Sequence, residues 1–119
     1  MVSKVDLHMH STVSDGRLSP AELVRKSAEL GLEVIALADH DTVGGIASAL
    51  EAAEDFPRLK VIPCIEISTD VSGGEAHVLG YFIDYTDPKL LDNLERMRNS
   101  RRELIQKMIA KLSNLGINI

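Results

Sequence analysis

Tryptophan is absent from this chain of 119 residues, and two Tyr and two Phe bring the aromatics to only 3%. Its core has to be built from Leu, Ile, Val and Ala, without large rings to fill it. A single cysteine, Cys64, rules out an internal disulfide and a cysteine-rich structural zinc site. It lies in the apolar run Val61-Ile62-Pro63-Cys64-Ile65 and reads as a core residue. No apolar run approaches the ~18 residues of a membrane span, and the N-terminus lacks the charged-then-apolar layout of a signal peptide. A cytoplasmic protein is expected. A positive balance is missing too: 13 Lys and Arg against 18 Asp and Glu give a formal net charge of −5, which argues against a broad electrostatic grip on nucleic acid. A phosphate substrate stays open, because bound cations would reverse the local field.

What is present is an alternation of strand-like and helix-like segments. Hydrophobic content of 45% and charged content of 26% suit a soluble globular chain of one domain. The run Val5 to Leu7 is a first strand. Ser19-Pro20-Ala21-Glu22 then starts a helix with three agreeing signals: a capping serine, a proline in the first turn and a glutamate that completes a capping box. Gly31 is placed to end it. Val34 to Ala38 is unbroken and apolar, as in a strand buried on both faces, and leads to Gly44-Gly45 and an Ala-rich helix from Ile46 to Glu54. Val61 to Ile65 is a third strand. Gly73-Gly74 supplies a turn, and Ala76 to Phe82 forms a fourth strand paired with the third as a hairpin. Asp87-Pro88 opens a helical stretch to Leu115, stopped by Gly116, with Asn99-Ser100 as the place where one helix would become two. This order favours a parallel sheet with helices packed outside it, a class of fold in which functional groups gather at the carboxyl ends of strands.

The chain has four histidines, and their positions carry the functional reading. His8 and His10 close the first strand at a spacing of two, which points both imidazoles to one face. Asp15 follows after a Ser/Thr-rich turn, His40 follows the second strand and Glu66 the third. Glu66 ends a buried apolar run, where a carboxylate needs a strong partner. Taken singly, His77 reads equally well as a hydrogen-bonded core residue, Asp15-Gly16 as a turn, and Gly44-Gly45 as close helix–strand packing. Together, His, Asp and Glu at strand ends suit Zn, Mn or Fe better than Ca, in an open catalytic site. Clustered ions convert bound water to a hydroxide nucleophile and clamp the oxygens of a phosphoryl group.

Four segments resemble the N-terminal part of the PHP (polymerase and histidinol phosphatase) domain family. They are Asp6-Leu7-His8-Met9-His10-Ser11 with Ser14-Asp15-Gly16, Ala38-Asp39-His40-Asp41-Thr42, Cys64-Ile65-Glu66-Ile67-Ser68, and His77-Val78-Leu79-Gly80. Within the family the chain is most similar to stand-alone bacterial phosphoesterases acting on nucleoside 3′,5′-bisphosphates and short RNA 5′ ends. The resemblance implies an α/β fold, the first half of a distorted (β/α)7 TIM-like barrel, ending in a long helical segment that leads into an insertion. It implies one truncated domain over 1–119, with a metal-site half barrel over 1–86 and a helical segment over 87–119. An open sheet edge would then pair with another chain or with the missing part of a longer protein.

Up to three divalent ions (Mn, Zn or Fe) are implied in the full family site. His8, His10 and Glu66 would hold the first, Asp15 and His40 the second, and Glu66 would bridge to a third that His77 also holds. Glu66, His10 and Asp15 are the catalytic candidates, Asp39 and Asp41 would orient imidazoles from behind, and Arg101 or Arg102 would face the substrate phosphate, unless both simply line a solvated helix face. The function implied is a metal-dependent phosphoesterase that hydrolyses a nucleotide or short-oligonucleotide phosphate through a metal-activated hydroxide. The alternatives are a histidinol-phosphate-type phosphatase and a non-catalytic metal-binding module.

Overall fold

The computed structural model describes residues 3–119. The chain order is β1 (Val5–Met9), α1 (Pro20–Glu29), β2 (Val34–Leu37), α2 (Ile46–Ala53), β3 (Lys60–Val71), β4 (Gly74–Tyr81) and α3 (Pro88–Asn114). These elements fall into two compact units, one ending at Tyr85 and the other running from Thr86 to Ile119.

In the first unit the four strands form one sheet in the order β1-β2-β3-β4. β1, β2 and β3 are parallel, joined by α1 and α2 as crossovers, and β4 returns antiparallel to β3. The expected parallel α/β pattern therefore holds for three strands, and the hairpin makes the sheet mixed. One face carries Ala36, Ala38, Ile62 and Cys64, all buried, with Val34 and Leu79 packed against them. The small side chains of Ala36 and Ala38 let the sheet curl toward this face. The Tyr81 hydroxyl on β4 donates to the Leu7 carbonyl on β1 at 2.8 Å, bridging the two outer strands. Ile35 and Leu37 alternate to the other face of β2 and are buried, as are Leu23 and Val24 of α1 and Ile46 and Ala49 of α2.

Local chemistry explains the element ends. Ser19 accepts from the Glu22 amide and Glu22 accepts from the Ser19 amide, the reciprocal capping box. After α1, Gly31 takes φ +78°, while the Leu32 amide donates to Ser27 O and the Gly31 amide to Ala28 O, satisfying carbonyls the helix leaves free. β3 runs to Val71, six residues past the apolar run, because pairing with β4 gives its backbone partners out to Val71↔Gly74.

In the second unit, Asp87 caps α3 by accepting from the Lys89 amide. The helix is continuous through Asn99 and Ser100, so the anticipated break is absent. Neither residue costs more than ~0.7 kcal/mol against alanine inside a helix, too little to interrupt 27 residues. No helix among the described residues is long and apolar enough to cross a membrane.

Candidate metal centre

A β-bulge decides which way β1 aims its histidines. Val5 pairs with Val34 and Asp6 with Ile35, but Met9 pairs with Leu37, so β1 spends two residues, Leu7 and His8, against Ala36 alone. The extra residue inverts the alternation. Met9 falls on the helix face, its sulfur 4.0 Å from Ser27 Oγ of α1, and His8 and His10 fall on the Ala36 face. The Asp6 carboxylate accepts from the His8 amide at 3.1 Å, giving a partner to a backbone group in the disrupted ladder.

β2 and β3 then deliver the next two groups in register. Their pairing runs from Val34↔Lys60 to Leu37↔Pro63 and resumes, with the same offset, as the isolated bridge His40↔Glu66. The Glu66 amide donates to Asp39 O at 3.1 Å, and the Asp41 amide donates to Glu66 O at 2.9 Å. On β4, His77 pairs with Ser68 and Leu79 with Glu66, which makes His77 the diagonal neighbour of Glu66 on one face.

All four imidazoles meet the Glu66 carboxylate, which is 3% exposed. His8 Nε2 contacts Oε1, and His10 Nε2 lies 3.7 Å from the same oxygen. His40 Nδ1 and His77 Nδ1 each lie 2.8 Å from Oε2. The loop after β1 adds Asp15, whose carboxylate is 3.1 Å from His40 Nε2 and 3.6 Å from His10 Nδ1. The His10 and His40 rings stack, with centroids 4.4 Å apart.

The donors sort into three overlapping groups, His8–His10–Glu66, His10–Asp15–His40 and His40–Glu66–His77, each with its ligand atoms within 4.8 Å of one another. His10 Nδ1 is buried with no hydrogen-bond partner, an orphan that a cation would satisfy. Imidazole and carboxylate without thiolate suits Zn, Mn or Fe. The residues present fit a centre of more than one divalent ion.

The other residues anticipated from sequence take distinct places. Asp39 is buried but engages no ring. It accepts from Ser11 and Ser14 of the loop after β1, because its side chain leaves β2 on the side where that loop passes. The Asp41 carboxylate accepts from the Ser68 amide at 3.2 Å, fastening the end of β2 to β3 beyond Glu66. It does so at φ +54°, a conformation non-glycine residues adopt rarely and often at functional sites. Gly45 faces Pro20 and Val13, so close packing accounts for it. Arg101 and Arg102 are exposed on α3, in the second unit. The bulge and its Asp6 contact were not anticipated; an acidic residue two before a strand histidine is the signal available for it.

The electrostatics follow from this arrangement. Burial pushes the Glu66 pKa up, but hydrogen bonds from His77 and His8 and the charges of His40 and His8 outweigh it, holding the carboxyl below its ordinary value. The hydrogen bond to Glu66 raises His77, against a smaller opposing effect of desolvation and with the Glu66 and Glu75 charges adding. Metal ligation requires a neutral imidazole, so a cation has to displace a proton that His77 holds more tightly than a free ring does. Zinc uptake at the His40–Glu66–His77 group is therefore expected to weaken as pH falls, with proton release detectable by calorimetry in two buffers. Uptake that is independent of pH and releases no proton would contradict this. In the metal-free chain the same shifts act on stability: the His77 contribution is lost as pH rises through its raised pKa, and that of Glu66 as pH falls through its lowered one.

Comparison with known proteins agrees with this geometry. A family model described as the PHP domain matches residues 6–116. A 5′-3′ exoribonuclease of Haemophilus influenzae is 41% identical over 117 residues, covering 98% of this chain and 42% of that protein. A 3′,5′-nucleoside bisphosphate phosphatase of Chromobacterium violaceum is 36% identical over 118 residues, covering 98% of this chain and 40% of that one. Among solved structures, an amidohydrolase from Chromobacterium violaceum superimposes with a TM-score of 0.83 at 35% identity, over 98% of this chain and 41% of the other. A Bifidobacterium adolescentis protein assigned as a metal-dependent phosphoesterase gives 0.81 at 31% identity, over 92% and 38%. The chain spans about two fifths of the length of these relatives. With the family model covering nearly every residue, the chain belongs to the PHP-domain family.

Proposed function

We propose that this chain carries metal-binding residues of a phosphoesterase that hydrolyses a phosphate ester of a nucleotide or short oligonucleotide. The observation that carries the reading is the sharing of Glu66, His10 and His40 between three donor groups, an arrangement that suits adjacent cations rather than one isolated ion. Divalent cations bound there would lower the pKa of water and neutralise phosphoryl oxygens during an in-line displacement.

The chain's own residues set that chemistry up. Glu66 presents one oxygen to the β1 side and the other to His40 and His77, so its carboxylate bridges the groups. His10 and His40 stack in parallel and leave Asp15 between them, reaching from the solvent side with its side chain 65% exposed. The phosphate would enter from that side. One relative is named a 3′,5′-nucleoside bisphosphate phosphatase and another a 5′-3′ exoribonuclease, and these names support the substrate class.

The test is phosphate release from a nucleoside 3′,5′-bisphosphate with added Mn, beside nucleotide release from a 5′-phosphorylated oligoribonucleotide and hydrolysis of histidinol phosphate. Hydrolysis of either nucleotide substrate, abolished by EDTA, is the expected result. Turnover of histidinol phosphate alone would overturn the nucleotide assignment, and EDTA-resistant turnover would overturn the metal-dependent one.

A further inference from the structure

The Asp39 side chain is 2% exposed and belongs to none of the three donor groups, yet it receives a convergence of hydrogen bonds usual for an anion site. Its Oδ1 accepts from the Ser11 amide at 2.6 Å and from the Ser14 hydroxyl at 2.8 Å, and its Oδ2 accepts from the Ser11 hydroxyl at 2.6 Å. Ser11 is itself fully buried, and its hydroxyl in turn accepts from the Val13 amide at 3.2 Å. Three convergent donors require an acceptor-only group, which a carboxylate is, and bonds of this length to it are the strong kind.

All of these donors lie between His10 and Asp15. Asp39 immediately precedes His40, and its carbonyl accepts from the Glu66 amide at 3.1 Å. One residue thus ties the β1 loop, the end of β2 and the Glu66 position of β3 together. We propose that Asp39 is a positioning residue for the cation that His10, Asp15 and His40 would hold, clamping the Ser11–Ser14 loop onto the end of β2. This rests on the metal-centre reading given above.

The three donor groups depend on the clamp unequally. Glu66 and His77 stand on strands whose ladder places them, and His8 lies within β1 itself. Asp15 stands on the loop alone, and its approach to His10 and His40 depends on where that loop is held. Loss of the clamp releases Asp15 first and leaves the Glu66-centred groups in place. The cation at His10–Asp15–His40 is therefore the one that weakens.

The test compares Asp39→Asn, Ser14→Ala and Ser14→Thr with the unaltered chain. Zinc stoichiometry and stepwise affinity are read by competition with a chromophoric chelator, cobalt spectra report the ligand environment, and thermal unfolding is followed in EDTA. Asp39→Asn and Ser14→Ala are expected to weaken one ion by ~10–100-fold, the usual effect of removing a group that supports metal ligands, with the other ions unchanged. Ser14→Thr, which keeps the hydroxyl, is expected to restore that ion. Ser14→Ala keeps the test decisive should Asp39→Asn fail to fold. Equal weakening of all ions, or a lower unfolding temperature with unchanged ion affinities, would overturn the positioning role in favour of a purely structural one. Full uptake by both variants would overturn it as well. An unaltered chain that binds no transition metal would overturn the metal-centre reading itself, and the proposal with it.

Discussion

Glu66→Gln is expected to lower phosphate release by ~10³-fold or more and to remove more than one ion, the largest effect of any single substitution in this chain. Glutamine keeps the shape but offers one neutral acceptor oxygen and an NH2 group that cannot ligate a cation. The carboxylate it replaces has Oε1 toward His8 and His10 and Oε2 toward His40 and His77, so two of the three donor groups lose a ligand together. Each clamped ion is worth several kcal/mol of transition-state stabilisation, and ~4 kcal/mol corresponds to about 10³ in rate. Asp15→Asn touches one group only, so its effect on ion content is expected to be smaller. In EDTA, Glu66→Gln also removes the partner that raises His77. Its unfolding deficit is expected to be larger at mildly acidic pH, where His77 is charged in the parent chain, and smaller above the raised His77 pKa. Elemental analysis and a phosphate assay check the first expectation, and unfolding at two pH values checks the second. A variant with its full ion complement and more than about a tenth of the parent activity would show that Glu66 does not bridge ions.

Much of this centre can be read from sequence because its residues sit where local signals end. His40 and Glu66 each follow a buried apolar run, where a polar residue needs a reason to be there, and His8 and His10 share a spacing of two at the end of β1. The helix starts are equally local: Ser19, Pro20 and Glu22 form a capping box that needs nothing beyond four residues. What escapes depends on partners far along the chain. The β1 bulge exists only against Leu37 and Ala36 of β2, and without it the alternation count would place Met9, not His8, on the Ala36 face. Asp39 beside His40 suggests ring orientation, whereas its donors come from Ser11 and Ser14, 28 and 25 residues earlier. Ile105, Met108 and Ile109 recur at helical spacing in α3 yet remain exposed. Periodicity reports an amphipathic face, not what covers it.

The loop carrying Asp15 has its own steric key, and Gly16→Ala is expected to break it. The loop folds back so tightly that the Gly16 amide donates to Ser11 O at 2.8 Å and the Thr12 amide to Leu18 O at 2.9 Å. A Cβ on Gly16 would lie 2.1 Å from His10 O, 2.5 Å from His10 C and 2.9 Å from Ser11 C. All three are backbone atoms, so no side chain can swing aside and the loop itself must open. The residues forced apart are His10 on one side and Asp15, the immediate neighbour of Gly16, on the other. Overpacking of this kind costs ~1–3 kcal/mol, and a displacement of about 1 Å at a reacting centre can cost ~10²-fold in rate. Gly31→Ala separates this from an ordinary glycine effect. At φ +78° with nothing within 4 Å of the added carbon, it should cost ~1–2 kcal/mol from left-handed backbone alone and leave ion content and activity per folded molecule unchanged. The expected signature of Gly16→Ala is a comparable or larger loss of stability together with loss of the ion at His10–Asp15–His40. If both variants lose stability and both keep every ion, the close approach of Gly16 to His10 serves folding alone, and the position of Asp15 is set elsewhere in the loop.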